Sequence, residues 1–370
     1  MKNFLKLYPD YEKRVYGLDI LRAIAILLVV LLHADGFLEK TGTTFPWIPL
    51  PDGVELFFVL SGFLIGSILI RTLENTDRFS FSTIYGFLKR RWFRTLPNYY
   101  LVLLLNVLVV STGLIKEDIH QFNWKFFFFL QNFYSGFYGF FWESWSLSIE
   151  EWFYLLFPFT VILFYFLFRT VRKKNIFLLA ILTFMVVPIT LRVFLASKMK
   201  VDSFWLGVNI WKVVMFRLDS IAFGILAAVI KFYHPKSFYR FKTLLFIAGI
   251  VFIYSVQFVE INPDSFFYKT FIVSFISIGC ALLLPMFDSI KKGPIPAVKI
   301  VTHISLISYS MYLINLSLVA SVLGHYFPPQ TVAMAYVTYG IYWVLVILLS
   351  TLLYKYYEKP MMDLRDRRNS

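Results

Sequence analysis

The chain has 370 residues, of which 59% are hydrophobic and only 16% are charged. Soluble domains are nearer half apolar and one quarter charged, so this composition excludes an ordinary soluble globule, a disordered chain and a coiled coil. It predicts an all-α, polytopic membrane protein. The formal net charge is +14, and basic residues of membrane proteins lie in cytoplasmic loops and near anionic headgroups. We therefore expect a lipid bilayer as a partner and no nucleic acid.

Ten apolar segments are long enough to cross a hydrocarbon core of about 30 Å, and they predict a transmembrane helical bundle. They lie near residues 18–36, 53–70, 95–113, 147–168, 176–196, 208–230, 243–260, 267–287, 300–323 and 331–354. The aromatic stretch 122–141 is interrupted by Gln131, Asn132 and two glycines. We interpret it as an interfacial or re-entrant segment on the outer side, with an eleventh span as the alternative. Residues 1–370 are expected to form one membrane-embedded domain, with no cleaved signal peptide and no separate soluble domain.

Loop charges predict the orientation of the chain. If the N-terminus is cytoplasmic, the inside loops hold more than three times as many Lys and Arg residues as the outside loops. This ratio predicts that both termini are cytoplasmic and that the chain is a multi-pass protein of the inner (plasma) membrane. One outside group, formed by Arg192, Lys198, Lys200 and Lys212, contradicts the rule.

The first span contains two polar residues that mark a candidate site. A charge in the hydrocarbon costs roughly 2.5–3.5 kcal/mol, so such residues are rarely there by chance. Arg22 and His33 are eleven residues apart, which places them on one helix face and about 16 Å apart along its axis. Arg22 is expected toward the cytoplasm and His33 in the outer half. The alternative is an arginine that snorkels to headgroups and a histidine bonded between helices.

The second span begins with Glu55, at about the depth predicted for His33. A carboxylate beside an imidazole holds its tautomer and raises its basicity, as a general base requires. Ser61 follows on the same span. Ser61 and Gly62 are small, and close helix packing is the favoured interpretation of Ser61, with ligand contact as the alternative.

Two arginines lie at the cytoplasmic end of the third span. Arg91 and Arg94 are three residues apart and therefore share a helix face. Two planar guanidinium groups in this arrangement can bind a phosphate through paired hydrogen bonds. The alternative is the general excess of basic residues at the inner membrane surface.

The fourth and sixth spans also carry charges. Glu150 and Glu151 lie near the outer end of the fourth span, and neighbouring helical residues point about 100° apart, so only one of them can face a given site. Arg217 is expected near the middle of the sixth span, where it requires a partner or a water-filled cavity. Asp219 is two residues further on and points away, so it is not expected to be that partner.

Together these segments resemble the acyltransferase-3 family of integral-membrane acyltransferases over most of the chain. Six motifs occur in order, each in a compatible span, and their combination is far more specific than any one of them. The motifs are Arg22-x10-His33, Glu55 with Ser61-Gly62, Arg91-x-x-Arg94 with Pro97 and Tyr99, Trp145-Ser-Leu-Ser-Ile-Glu150-Glu151-x-Phe-Tyr154, Arg217-x6-Gly224-x3-Ala228, and Tyr357-Glu358-Lys359-Pro360.

Two positions depart from the family pattern. Asn315 stands where many relatives carry His, and Trp152 stands where Gln is common. The first departure indicates that this histidine is not essential to a shared mechanism, or that this chain acts on a different acceptor. Some relatives also carry a soluble esterase-like domain after the spans. None is evident here, so the acceptor step is expected in the membrane core or in a separate protein.

The resemblance implies transfer of an acyl group, usually acetyl, from cytoplasmic acetyl-CoA to a hydroxyl of an envelope polysaccharide or a lipid-linked sugar. Our hypothesis is that His33 deprotonates the acceptor hydroxyl or is itself transiently acetylated. Glu55 is the expected orienting carboxylate, with Glu150 or Glu151 as weaker candidates. The residues expected to contact acetyl-CoA, a co-substrate, are Arg22, Arg91, Arg94, Ser61 and Arg217. No metal is expected, because the single cysteine, Cys280, cannot form a disulfide or a zinc cluster within the chain.

Two other functions are compatible with the sequence. A secondary transporter that exports an acylated sugar or lipid would also have many spans and buried charges, although neither an inverted repeat nor a pair of Gly/Pro-broken helices is evident. A transferase that uses succinyl or another acyl donor is the second alternative, because the pocket for the acyl group cannot be identified from sequence. Dependence on acetyl-CoA separates a transferase from a transporter.

Overall fold

A computed structural model gives the fold and describes residues 7, 11, 14–42, 50–75, 81–115, 117–196, 203–258 and 262–367. Over these ranges the chain is helical and contains no strand, which confirms the all-α prediction. Within the same ranges, eight helices are long and apolar enough to cross a membrane. They are Tyr16–Glu39, Gly53–Asn75, Phe81–Ser111, Ser144–Leu167, Lys173–Ala196, Ile272–Ser289, Ile295–Tyr326 and Val332–Leu364.

The helices are numbered here in chain order. They are α1 (Tyr16–Glu39), α2 (Gly53–Asn75), α3 (Phe81–Ser111), α4 (Ser144–Leu167), α5 (Lys173–Ala196), α6 (Ser203–Leu206), α7 (Leu218–Tyr233), α8 (Pro235–Arg240), α9 (Lys242–Phe258), α10 (Phe266–Thr270), α11 (Ile272–Ser289), α12 (Ile295–Ile314), α13 (Ser321–Tyr326), α14 (Val332–Leu353) and α15 (Lys359–Arg367). The π-helical turns are Gly207–Trp211, Asn315–Ala320 and Tyr354–Glu358, and the 3-10 turns are Ile119–Gln121, Trp124–Phe128 and Val214–Phe216.

The predicted sixth segment, 208–230, is not one continuous helix. The backbone passes through a π-helical turn and a 3-10 turn before α7 begins, and Arg217 is the N-cap residue of α7. The charged side chain therefore coincides with the break in the helix. α7 and α9 have 16 and 17 residues, fewer than any of the eight long helices. The count of ten spans and the cytoplasmic position of both termini stay predictions, and the last two residues of segment 243–260 lie outside the described residues.

The stretch 122–141 forms no spanning helix. Its only helical turn, Trp124–Phe128, has five residues, so the alternative of an eleventh helical span is wrong. The segment instead folds onto the helices: the Tyr99 hydroxyl donates to the Phe126 carbonyl at 2.9 Å, and Trp152 Nε1 donates to the Phe129 carbonyl at 2.9 Å. Glycine and amide side chains interrupt the apolar pattern here, which favours this irregular path. The interfacial or re-entrant position of this segment on the outer side stays a prediction.

Small residues let α2 and α7 approach closely. A methyl group added at Gly62 would lie 2.0 Å from the Ile221 carbonyl oxygen, and one at Gly224 would lie 1.9 Å from the Val59 carbonyl oxygen. Both distances are far inside van der Waals contact, so only glycine fits at either position. The predicted packing role of the small residues on the second span is therefore confirmed for Gly62.

A buried ion pair accounts for Arg192, one of the four outside charges that contradicted the loop rule. Arg192 on α5 and Asp219 on α7 are both 0% exposed at their side chains. Arg192 Nη1 donates to Asp219 Oδ1 at 3.0 Å, and Nη2 donates to Oδ2 at 2.6 Å. Ser274 on α11 donates to the same carboxylate at 2.5 Å. Arg192 is therefore neutralised inside the helical bundle and carries no information about orientation.

Candidate functional site

A cavity opens among α1, α2, α3, α4 and α12. Its wall includes Arg22, Ser61, Arg91, Arg94 and Glu150, five of the nine site residues expected from the sequence. α12 contributes Ser308, Tyr309 and Tyr312. Residues from five helices far apart in sequence thus converge on one concave site, as ligand sites commonly do.

Three guanidinium groups give the cavity its electrostatic character. Arg91 and Arg94 share one face of α3 as predicted, and Arg22 reaches the same cavity from α1. All three are half-buried. Arg22 Nη1 lies 4.0 Å from Asp19 Oδ1, a distance at the limit of an ion pair. In the described part of the chain neither Arg91 nor Arg94 has a carboxylate within ion-pair distance. The cavity therefore presents positive charge to which an anionic group such as a phosphate can bind.

The two acids of α4 face different surroundings, as the helix geometry predicted. Glu150 lies on the cavity wall and interacts electrostatically with Arg91 and Arg94 without a direct ion pair. Glu151 is buried on the neighbouring face, where the Thr95 hydroxyl donates to Oε1 at 2.7 Å. Glu150 is therefore the acid available to a ligand, and Glu151 packs α4 against α3.

Ser61 contacts both the cavity and α4. Its Oγ lies 2.5 Å from the Tyr154 hydroxyl, and both residues are on the cavity wall. The Arg91 guanidinium carbon lies 5.5 Å from the centre of the Tyr154 ring, within the range of a cation–π contact. Tyr154 thus connects the serine of α2 to the arginine of α3. Ser61 packs α2 against α4 through Tyr154 and also faces the cavity. The packing interpretation and the ligand-contact interpretation of Ser61 are therefore compatible.

Glu55 is not the partner of His33, and this corrects the sequence-based prediction. Its carboxylate forms an ion pair with Arg217 Nη2 and accepts a hydrogen bond from Ser277. Glu55 and Arg217 are both 3% exposed at their side chains, and neither belongs to the cavity wall. Arg217 was also expected to contact the donor, but it is occupied by Glu55. The expectation that Asp219 does not pair with Arg217 is confirmed, because Asp219 pairs with Arg192.

His33 lies beyond the Tyr312 end of the cavity and is bonded to Asn315. His33 Nδ1 lies 2.5 Å from Asn315 Oδ1, and His33 is half-buried and not on the cavity wall. Asn315 is three residues beyond Tyr312, the last wall residue on α12, which corresponds to about 4.5 Å along the helix. The histidine therefore lies about one helical turn beyond the cavity. Asp52 and Lys212 are the charged groups that act on it electrostatically.

Glu143 is a site residue that the sequence did not single out. It immediately precedes α4 and is 2% exposed, and its Oε1 accepts hydrogen bonds from the backbone N–H groups of Leu316 at 3.0 Å and Ser317 at 2.7 Å. The Ser317 hydroxyl donates to Oε2. The carboxylate thus enters the π-helical turn that follows α12. The sequence signal for Glu143 was an acidic residue just before the Trp145-Ser motif, at the end of an apolar stretch. Its hydrogen-bond partners lie more than 170 residues further along the chain, so the sequence does not reveal them.

The described residues contain no group of three or more His, Cys, Asp or Glu that could hold a metal ion. The site offers the chemistry of its guanidinium groups, its hydroxyls, Glu150 and the neighbouring imidazole. Such a site can hold an anionic ligand in the cavity and accept a proton at the neighbouring imidazole.

A family model described as an acyltransferase domain matches residues 15–355 of the chain. This match includes every helix that forms the cavity, together with His33 and Asn315. The chain therefore belongs to the acyltransferase-3 family, which confirms the resemblance.

Relatives with assigned names agree with this class. The chain is 32% identical over 188 residues to a Staphylococcus aureus (strain COL) protein named by inference as an O-acetyltransferase, covering 46% of this chain and 28% of the relative. It is 32% identical over 165 residues to Bacillus subtilis (strain 168) YrhL, named by inference as a peptidoglycan O-acetyltransferase. This match covers 40% of this chain and 24% of YrhL. It is 30% identical over 193 residues to the O-acetyltransferase OatA of S. aureus (strain NCTC 8325 / PS 47). This match covers 47% of this chain and 29% of OatA. The chain thus matches less than a third of the length of each relative. No solved structure shows a significant match.

Proposed function

We propose that the protein transfers an acyl group, most simply acetyl from acetyl-CoA, to a hydroxyl of an envelope carbohydrate or a lipid-linked sugar. The observation that carries the proposal is the convergence of Arg22, Arg91 and Arg94 on one cavity that ends about one helical turn from the Asn315–His33 pair. Family membership and the O-acetyltransferase names of the relatives support the reaction class. In this proposal the donor enters from the cytoplasm and the acceptor arrives from the outer side.

The arginines hold the donor in this proposal. The phosphates of acetyl-CoA are multiply charged, and planar guanidinium groups bind phosphate oxygens in pairs. Arg91 and Arg94 come from one helix and Arg22 from another, so a bound phosphate would be held from two sides. The extended pantetheine arm would then run along the cavity toward Tyr312, with Ser61 and Tyr154 as hydroxyls on its path.

His33 is the proposed base at the acyl end. The acceptor O–H gives its proton to an imidazole nitrogen while its oxygen attacks the thioester carbonyl carbon. The new C–O bond forms, the C–S bond breaks, and the imidazolium returns the proton to the departing CoA thiolate. If His33 attacks first, the acetyl group passes through the imidazole before it reaches the hydroxyl. Both routes require an unprotonated ring nitrogen on His33.

The test is acetate released by alkali from purified envelope glycans of cells that express wild type, His33→Ala, His303→Ala or an empty vector. His303 is the matched control, because it is a half-buried histidine of α12 that bonds Thr351 at 3.0 Å and does not line the cavity. We expect acetate with wild type and His303→Ala, and none above vector with His33→Ala. Immunoblotting of membranes must show equal amounts of the three proteins. Full acetate release by His33→Ala would contradict the mechanism.

A second arm identifies the donor and separates the transporter alternative. Proteoliposomes are supplied with labelled acetyl-CoA or succinyl-CoA and with the glycan fraction that carried acetate in cells. Label incorporated from acetyl-CoA alone supports the proposal. Label incorporated from succinyl-CoA alone would show that the donor is succinyl-CoA and not acetyl-CoA. Export of a preformed acylated sugar without incorporation of label would show a transporter.

A further inference from the structure

We propose that Asn315 is a positioning residue that holds His33 in one tautomer, with the proton on Nδ1 and the reactive lone pair on Nε2. This inference rests on the proposed role of His33 as the base and goes beyond it, since it specifies which nitrogen reacts and which residue determines the choice.

The orientation of the Asn315 side chain is determined by its own hydrogen bonds. Asn315 Nδ2 donates to the carbonyl of Met311 at 3.0 Å and to the carbonyl of Tyr312 at 2.7 Å. Both partners are carbonyl oxygens and can only accept, so the amide nitrogen must face them. A flipped amide would direct its oxygen at two carbonyl oxygens. The atom that faces His33 is therefore Oδ1.

The tautomer of His33 follows from that orientation. Asn315 Oδ1 is an acceptor only, and it lies 2.5 Å from His33 Nδ1. A hydrogen bond at this distance requires the proton on Nδ1, which leaves Nε2 unprotonated in the neutral ring. Within the described chain, Nε2 has no hydrogen-bond partner of its own. The second ring nitrogen is therefore the one that can take a proton or an acetyl group.

Glu143 keeps the amide in place from the other side. In a regular α-helix the N–H groups of Leu316 and Ser317 would donate to the carbonyls of Tyr312 and Leu313, four residues earlier. Here both donate to the Glu143 carboxylate, in the turn where the helix widens to π geometry. The Tyr312 carbonyl then accepts from Asn315 Nδ2. Glu143 and the Asn315 amide thus bind the same turn of the helix, Glu143 through the N–H groups and Asn315 through the Tyr312 carbonyl. Such π-helical turns occur frequently at functional sites.

A neutral partner suits a base that must release its proton again. A carboxylate beside Nδ1 would stabilise the imidazolium and delay proton return to the leaving thiolate. An amide oxygen fixes the tautomer without adding a charge, as in the Cys-His-Asn arrangement of other enzymes. The charges that act on His33 are those of Asp52 and Lys212, which oppose each other.

The direct test measures the tautomer of His33 in the wild-type protein. The full chain is labelled with 15N-histidine in lipid nanodiscs, and the five histidines are resolved by 15N solid-state NMR. The His33 signals are assigned by their loss in His33→Gln. We expect a protonated Nδ1 and an unprotonated Nε2 at a pH where the ring is neutral. The opposite pattern would overturn the proposal, and so would an equal mixture of tautomers.

Mutants test the consequence for transfer, using isolated membranes that carry their own acceptor and are supplied with labelled acetyl-CoA. Asn315→Leu retains the size of the side chain but removes its hydrogen bonds. We expect kcat to fall by about 10²–10³-fold with an unchanged KM for acetyl-CoA, because a misoriented base is lost from the transition state only. Thr351→Ala, which removes the partner of His303, is the control and should retain full activity.

Asn315→Asp distinguishes positioning from a merely structural role. A carboxylate beside Nδ1–H stabilises the imidazolium, so the acid limb of the kcat profile should move to higher pH by about one unit or more. An Asn315→Leu enzyme with wild-type kcat, or an Asn315→Asp profile without a shift, would exclude the positioning role. These outcomes are separable from failure of the proposed function, which would appear as full activity of His33→Ala.

Discussion

Two regions of this molecule hold the arginines of the helical bundle in opposite ways. On one side, Arg192 and Arg217 are each matched to one carboxylate, with a serine of α11 as an additional partner of that carboxylate. On the other side, Arg22, Arg91 and Arg94 line a cavity and lack a close carboxylate of their own, apart from Asp19 at 4.0 Å from Arg22. A charge in a membrane span indicates a site, but it does not indicate which kind. The presence of a matched partner separates structural charges from those available to a ligand.

The physical basis of the difference is desolvation. A fully buried ion pair is stable only when both charges stay paired, and removal of one partner leaves an uncompensated charge. An arginine at the edge of a cavity keeps water or a ligand as its partner, so its removal costs little stability but weakens anion binding. The following four predictions test this contrast, in order of decreasing effect.

The Arg192–Asp219 pair should be essential for stability. Asp219→Asn leaves Arg192 charged and fully buried, and we expect a loss of about 3–5 kcal/mol in the free energy of unfolding. The measurement is thermal unfolding of the detergent-solubilised protein, together with its yield as a monodisperse peak in gel filtration. The exposed pair Lys359–Asp363 is the control, and Asp363→Asn should change stability by less than about 1 kcal/mol. Equal stability of the two variants would contradict the structural role.

Glu55 should behave as half of an ion pair and not as the partner of a catalytic base. Glu55→Gln leaves Arg217 without its counter-ion, so we expect a stability loss of about 3 kcal/mol or more. Combining it with Arg217→Met should recover part of that loss, because the unpaired charge disappears. The four proteins of this double-mutant cycle are compared by thermal unfolding. A stable Glu55→Gln with strongly reduced kcat would return Glu55 to the catalytic role predicted from the sequence.

Arg91 and Arg94 should affect donor binding and leave stability nearly unchanged. Each charge-assisted hydrogen bond contributes about 1.5–3 kcal/mol, so either alanine variant should raise the Kd for acetyl-CoA by about 10–100-fold. Kd is measured by calorimetric titration of the purified protein. Arg90→Ala is the matched control, since Arg90 is exposed on the same helix and is not on the cavity wall. An unchanged Kd in both cavity variants would leave these arginines with a topological role only.

Glu150 should oppose anion binding weakly, whereas Glu151 should not affect it. Glu150 is attracted to the same arginines that the proposed phosphate contacts, so Glu150→Gln should lower the Kd for acetyl-CoA by a few fold, about 1 kcal/mol or less. Glu151→Gln keeps a side-chain oxygen for Thr95 and should leave Kd unchanged. The same titration compares the two variants. If both change Kd equally, the division between the two faces of α4 is wrong.

A large part of the site followed from helix geometry and residue chemistry. The shared face of Arg91 and Arg94 and the divergence of Glu150 and Glu151 depend only on about 100° per residue, and the structure has both. The prediction failed where depth was used to infer contact. Glu55 was paired with His33 because both lie at similar depth, but Glu55 belongs to the cluster of α2, α7 and α11.

By itself the sequence determined the all-α membrane class, the family and the arginines that face one cavity. Those features depend on composition, on periodicity along single helices and on local motifs. The tertiary structure alone decided which helices are neighbours, and therefore that Glu55 pairs with Arg217 and His33 with Asn315. It also decided that Glu143 enters the helix after α12, across more than 170 residues of chain. A single sequence reports the depth and the face of a side chain, whereas its partner depends on how separate helices pack.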